Sequence, residues 1–411
     1  MEAGEDSDYH DNYTALPEIK AIIIGSKAEY KCTAANTILS HTDWKVGKEI
    51  VKSEMKQTTI QNRSVTLVMT PGWWRSFTLA ESTKYIQMEI VHSLKHCPDP
   101  HAFLLVISLH KPFTDMHLKS VVEHMEIFER LVAEHQEQCF KIDSKLLEDM
   151  EEKRSTMEKQ AKERENEVKT KMQSLKKCLT ERSCGFPELR IVLMGGRFVG
   201  KTSVMNTILK IKQEFSNSKK CVMREGEVDK RKVILIDTPG WWPYASVKET
   251  SESVKQEIMS SVTMCPPGPH AVLLVLQSDV AFSEAQRRSV KEHMELLGQN
   301  VWKYCIVVFT RGDWRGTSTI EEHIESEGET LQMLINKCGN RYHILNNMQW
   351  FDGIQVRELM EKVEMMARGN TDLLTPVEAA MEETDSGWGS NWSDQDKLER
   401  GSLKLDPPNS K

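Results

Sequence analysis

With 411 residues, the chain has room for two or three domains. Its composition, 39 % apolar and 28 % charged, is that of a globular protein. A net charge of −7 argues against a broad nucleic-acid-binding or polybasic membrane surface, so no nucleic-acid partner is expected.

Residues 1–18 are polar and acidic and read as a disordered N-terminus, without the apolar core of a secretory leader. Glu2 does not fit a myristoylation start, and the closing Asp406-Pro-Pro-Asn-Ser-Lys411 carries no prenylation cysteine. No apolar run approaches the ~20 residues that span a bilayer, so direct membrane insertion is not expected. The nine cysteines are scattered without metal-type spacing, which favours free thiols and a cytoplasmic location.

From Ile19 onward the chain contains one unit twice. Ile19-Lys-Ala-Ile-Ile-Ile-Gly25 matches Leu189-Arg-Ile-Val-Leu-Met-Gly195, and Asn36-Thr-Ile-Leu matches Asn206-Thr-Ile-Leu. Thr70-Pro-Gly-Trp-Trp matches Thr238-Pro-Gly-Trp-Trp; Pro100-His-Ala and Glu123-His-Met-Glu recur at Pro269 and Glu292. The spacing stays between 168 and 170 residues, so a whole domain was duplicated. The first copy, residues 19–128, has no counterpart of the strand Cys305-Ile-Val-Val-Phe and reads as a truncated unit.

Residues 129–186 read as a helical connector. It is charged, and it has neither proline nor glycine up to Ser183. Val168, Met172, Leu175 and Leu179 keep coiled-coil spacing, but Arg154, Glu158 and Glu165 interrupt the longer stripe. A solvated helix and a pairing helix both remain open. Residues 187–368 form the second copy, and 369–411 read as a disordered polar tail in which Trp388 and Trp392 could serve a partner.

The chemistry lies in the second copy. A strand-type run ends in Gly195-Gly196-Arg197-Phe198-Val199-Gly200-Lys201-Thr202-Ser203 and leads into helix-type sequence, the full Walker A pattern in its strand–loop–helix context. Glycines let successive N–H groups face one anion, and the following helix adds its positive dipole end. Lys201 is suited to β and γ phosphates and the Thr202 hydroxyl to Mg²⁺. Val233-Ile-Leu-Ile-Asp237-Thr-Pro-Gly240 supplies the metal-side carboxylate, Asp237, and a γ-phosphate sensor, the Gly240 N–H.

Val307-Val-Phe-Thr310-Arg311-Gly312-Asp313 stands where guanine-binding proteins carry Asn-Lys-x-Asp. A carboxylate at Asp313 can accept both N1–H and N2–H of guanine, a pattern adenine does not offer. The stem of Arg311 can lie over the base. Asn346 and Asn347 end a later strand, and either amide suits the O6 edge.

Residues 189–366 resemble the immunity-associated GTPases, the GIMAP or IAN family with its AIG1-type G domain, and the Trp241-Trp242 pair is similar to multi-domain fish members. The resemblance rests on the phosphate loop, Asp237-Thr-Pro-Gly240, Cys265-Pro-Pro-Gly-Pro-His-Ala, Thr310-Arg-Gly-Asp313 and Asn346-Asn347. It implies GTP or GDP as ligand with Mg²⁺ and, for some members, homo-oligomers through G-domain contacts. The expected fold is α/β: a P-loop NTPase G domain, its mainly parallel sheet flanked by helices, preceded by a truncated degenerate copy and a long helical connector.

Departures refine this. Trp241 stands where Ras-type enzymes carry a water-orienting glutamine, so hydrolysis is expected to be slow. The first switch holds no threonine between Ile208 and Asp237, leaving Ser216 or Ser218 as the hydroxyl. In the first copy Tyr30, Cys32 and Met69 replace the second loop glycine, the metal hydroxyl and the metal-side aspartate. That copy is expected to bind no nucleotide. Three readings of the whole follow: a guanine-nucleotide-binding protein with weak GTPase activity, a nucleotide-gated oligomeric scaffold with negligible hydrolysis, and, weaker, an ATP-binding P-loop protein.

Overall fold

The computed structural model describes residues 16–27, 30–41, 44–47, 49–135, 140–180, 186–211, 219–315, 318–349, 352–370 and 372–376. The first copy runs β1 (Glu18–Gly25), α1 (Lys31–Leu39), β2 (Glu54–Ile60), β3 (Arg63–Met69), α2 (Lys84–His96), β4 (Ala102–Val106) and α3 (Asp115–Glu129). A short antiparallel pair follows, β5 (Val132–His135) and β6 (Phe140–Ile142), and then α4 (Ser144–Thr180). The second copy runs β7 (Glu188–Met194), α5 (Lys201–Leu209), β8 (Val222–Val228), β9 (Arg231–Asp237), α6 (Glu252–Ser260), β10 (Ala271–Gln277) and α7 (Glu284–Met294). It continues with β11 (Cys305–Thr310), α8 (Ile320–Glu327), α9 (Glu329–Lys337), β12 (Tyr342–Ile344) and α10 (Gly353–Gly369).

The second sheet has the order β12-β11-β10-β7-β9-β8, parallel except for β8. Its central strands are unbroken apolar runs because helices cover both faces. Along them, Val192, Ile236, Leu274, Val307 and Phe309 join one core and Ile191, Leu235, Leu273, Ile306 and Val308 the other. The edge strands β2 and β8 alternate between half-buried and exposed residues, as strands with one wet face do. Each returns through a two-residue turn with both residues left-handed, Gln61-Asn62 and Asp229-Lys230, the geometry that matches strand twist.

The first sheet is shorter, β2-β3-β1-β4, so β4 occupies an edge where its counterpart β10 is central. The duplicated fold is therefore α/β with a mainly parallel sheet in each copy. Among the described residues no helix is long and apolar enough to cross a membrane.

Two segments differ from the sequence reading. The stretch expected to be mainly helical from 129 is helical over Ser144–Thr180 but begins with the β5–β6 pair; Val132, Phe140 and Ile142 supply a strand-prone composition that the charged run beyond them masks. The helix itself packs on both copies rather than running free between them. Leu147 and Met150 pack on the first copy's core, Val168 packs on the second's, and Met157 and Ala161 are buried. Arg154 pairs with buried Glu89 at 3.0 Å, Arg164 with Glu325, and Lys176 with Glu361 at 2.6 Å. The tail expected to be disordered from 369 starts out packed: Leu374 is buried, and its N–H donates to the Pro269 carbonyl at 3.4 Å. Residues 1–15 and 377–411, also expected to be disordered, lie outside the described residues.

Candidate phosphate- and base-binding site

The phosphate loop leaves β7 at Gly195, whose φ is +150° and where an added Cβ would come within 2.6 Å of the Val275 carbonyl oxygen. Only glycine fits that approach. The loop closes on Gly200, and α5 begins at Lys201. Gly196 lies under the Trp241 carbonyl, while Phe198 adopts φ +64° with its ring half exposed. Val199 turns its side chain into the core, so only its backbone faces the loop. Ser203 is half-buried on the first turn of α5.

Lys201 Nζ curls back to donate to the carbonyls of Gly195 at 2.8 Å and Gly196 at 2.9 Å. Burial lowers its ammonium to about 8. Thr202 Oγ1 donates to Asp237 Oδ2 at 2.5 Å, uniting the two residues expected to hold a metal. Asp237 Oδ1 is buried with no hydrogen-bond partner among the described residues, and burial raises the carboxyl above its ordinary range. A hydroxyl and a carboxylate converging with an orphaned buried oxygen fit a hard divalent cation such as Mg²⁺.

Gly240 packs against the same loop. A Cβ there would lie 2.7 Å from the Arg197 nitrogen, and that N–H donates to the Trp241 carbonyl at 2.7 Å. Arg197 also donates from Nε to the Gly240 carbonyl at 3.3 Å and lies over the exposed Trp242 ring, 4.6 Å from its centroid. Trp241 itself points inward. It is 1 % exposed and stacks on His293 at 4.4 Å and 4°. The His293 Nδ1–H donates to the Ser289 carbonyl, leaving Nε2 to accept from the Thr250 hydroxyl at 2.7 Å.

The base-side loop is tied to the phosphate loop. Thr310, buried, donates from Oγ1 to the Val199 carbonyl at 2.8 Å, and Gly312 donates to the Leu345 carbonyl at 3.1 Å. Asp313 is half-buried, and burial raises its carboxyl. Arg311, at φ +61°, pairs with Asp279 at 2.7 Å. The two asparagines differ in role. Asn346 Oδ1 accepts from the backbone of Met348 and Gln349, so the following turn fixes its amide, and its Nδ2 has no partner among the described residues. Asn347 is tied to α5, its Nδ2 donating to Thr207 Oγ1 at 3.3 Å, and its buried Oδ1 has no partner among the described residues. Ser216, the candidate first-switch hydroxyl, lies outside the described residues.

The first copy keeps the lysine in its place and loses the chemistry. Lys31 Nζ donates to the carbonyls of Gly25 and Thr70, and Trp73 stacks on His124 at 4.2 Å as Trp241 does on His293. Met69 occupies the place of Asp237, buried and without a ligating atom for a hard cation. Sequence reasoning missed Asp279, Gln277 (whose Nε2 donates to the Phe198 carbonyl at 3.0 Å) and Trp74 of the first copy. No sequence signal marks Asp279: the repeat sets it against His110 within 276–281, a stretch where the two copies share no residue.

A strand–loop–helix phosphate loop, a metal-side aspartate and a Thr-Arg-x-Asp loop on one mainly parallel sheet define a P-loop G domain. The chain belongs to the AIG1 family, whose model matches residues 19–146 and 189–387. It is 30 % identical over 201 residues to human GTPase IMAP family member 8, covering 47 % of this chain and 30 % of that protein. Mouse GTPase IMAP family member 8 is 21 % identical over 415 residues, covering 91 % of this chain and 57 % of that protein. The chain therefore spans well under two thirds of these curated relatives. Among solved structures, Toc33 from Arabidopsis thaliana in complex with Mg²⁺ and GMPPNP superposes with a TM-score of 0.36 at 13 % identity, over 52 % of this chain and 93 % of that one.

Proposed function

We propose that the second copy binds GTP or GDP with Mg²⁺ and hydrolyses GTP slowly, while the first copy binds no nucleotide. The observation that carries this reading is the coupling of the Thr310–Asp313 loop to the phosphate loop through Thr310 Oγ1 and the Val199 carbonyl. One rigid unit then reads phosphate and base together.

Each residue has a role in that reading. Lys201 exchanges its two loop carbonyls for phosphate oxygens, and backbone N–H groups from Gly195 to Ser203 surround the anion. Thr202 and Asp237 would hold Mg²⁺, which neutralises phosphate charge when bound. The Gly240 N–H faces the γ-phosphate. Asp313 accepts from N1–H and N2–H of guanine, Arg311 covers the ring face, and the unused Asn346 Nδ2 is the donor suited to O6. Trp241 is in the core and offers nothing to orient water, which supports slow turnover. Ser216 remains the proposed first-switch hydroxyl.

Asp313→Asn is expected to remove guanine preference and lower GDP affinity by about a hundredfold, the loss of two charge-assisted hydrogen bonds. Titrations with GDP and ADP check this; unchanged affinities for both would reject the guanine assignment and favour the ATP-binding reading.

The reaction with phosphate also sets a pH dependence. A bound anion raises the Lys201 ammonium above its free-state value of about 8. Between the two values the complex holds one more proton than the free protein. Affinity should be level below about pH 8 and fall by about tenfold per unit above it. A flat GDP affinity from pH 7 to 10 would contradict this.

A nucleotide-gated homo-oligomeric scaffold is the second reading. Phe198, Trp242 and Tyr244 are each about half exposed around the phosphate loop, a surface suited to a G-domain contact with another copy. Turnover per chain that rises with protein concentration would support assembly-coupled hydrolysis; turnover at background throughout would leave the scaffold reading alone.

A further inference from the structure

We propose that Trp74, a residue of the degenerate first copy, is a positioning residue for the guanine-reading loop of the second. The inference rests on the guanine-nucleotide reading given above. The indole Nε1–H of Trp74 donates to Asp279 Oδ2 at 2.8 Å, and the same oxygen receives Arg311 Nη1 at 2.7 Å. A contact between residues 205 positions apart thus reaches the base site through one carboxylate.

Asp279 has a fully buried side chain, and its Oδ1 has no hydrogen-bond partner among the described residues. Oδ2 therefore takes both donors. Removing one leaves a buried carboxylate under-satisfied, and the Arg311 ion pair must rearrange to compensate. Among the described residues the Arg311 guanidinium has one other neighbour, the Trp74 ring itself, whose centroid is 5.6 Å away, so both contacts that hold it involve Trp74. Backbone contacts clamp the two copies beside this point. Ala281 N–H donates to the Glu81 carbonyl at 3.0 Å. Glu327 accepts from Lys84 N–H and Phe282 N–H, both at 2.9 Å.

The arrangement runs one way. Trp242, the counterpart of Trp74, lies under Arg197 of its own copy, and the counterpart of Asp279 is His110. The duplicated unit has kept the indole and lost its own nucleotide chemistry. Its remaining use is to hold Asp279 and, through it, the Arg311 stem over the base.

The test uses the full chain with GDP and with inorganic tripolyphosphate, which lacks a base. Trp74→Phe keeps an aromatic ring and removes the N–H. It should speed GDP dissociation by about tenfold. Tripolyphosphate affinity should stay within about twofold. In an Arg311→Ala background Trp74→Phe should add nothing, because both act on one contact. Additive effects in that double variant, or wild-type GDP dissociation in Trp74→Phe, would overturn the proposal. Should Trp74→Phe not fold, Asp279→Asn takes its place in the same cycle, with the same outcomes deciding. Lys201→Ala separates the premise: GDP binding that survives it would reject the nucleotide reading itself, whereas its loss with a silent Trp74→Phe rejects only this inference.

Discussion

Lys201→Ala is expected to lower guanine-nucleotide affinity by about a hundredfold or more, while Lys31→Ala leaves binding unchanged. Both lysines are buried and both donate to loop carbonyls, so local geometry alone does not separate them. Their surroundings do. Beside Lys201 stand the Thr202 hydroxyl and the Asp237 carboxylate, in contact at 2.5 Å. Beside Lys31 stand Cys32 and Met69, which offer sulfur to a site that needs hard oxygen. Burial lowers Lys201 to about 8, a cost that an incoming phosphate reverses by restoring a counter-charge. Binding titrations with labelled GDP check both variants, with thermal melting as the control for folding. A lower bound stoichiometry in Lys31→Ala would show that the first copy holds nucleotide after all.

Trp241→Ala should cost about 3–5 kcal/mol of stability, the range for removing a large buried aromatic side chain. The indole is 1 % exposed and stacks on the neutral ring of His293, whose imidazole burial keeps below its ordinary range. Its Nε1 has no partner among the described residues, so the loss is one of packing rather than of a hydrogen bond. Trp241→Gln is then no route to faster hydrolysis. It would put an amide into the space between α7 and the sheet, where polar burial is costly. Trp242→Ala, at the half-exposed neighbouring position, should change stability by no more than about 1 kcal/mol. Chemical denaturation distinguishes the pair. A stable Trp241→Gln variant with raised GTP turnover would show that this side chain reaches the site.

The sheet and the phosphate loop are legible in sequence because their signals are local. Unbroken apolar runs such as Cys305–Phe309 need helices on both faces, and the glycine pattern from 195 to 200 has few other uses. Duplication made the first copy readable as well, since each lost group shows against its counterpart. What escaped was non-local. The α4 stripe looks interrupted because Arg154 and Arg164 sit among its apolar residues, yet both are spent on buried or half-buried glutamates of the two copies. Leu374 lies in a polar run, and only the Pro269 loop gives it a place to pack. Trp74 and Asp279 are unremarkable until folding brings them to one hydrogen bond. Asn346 and Asn347 were equivalent by composition, and the turn at 347–349 set them apart.

In the proposed function each chain holds one guanine nucleotide, in the second copy. Purified protein, denatured to release its ligand and assayed by chromatography against protein concentration, tests it most directly. GDP or GTP is expected at no more than one per chain, absent from Lys201→Ala and retained in Lys31→Ala. Two nucleotides per chain, or an adenine nucleotide in place of the guanine one, would contradict it.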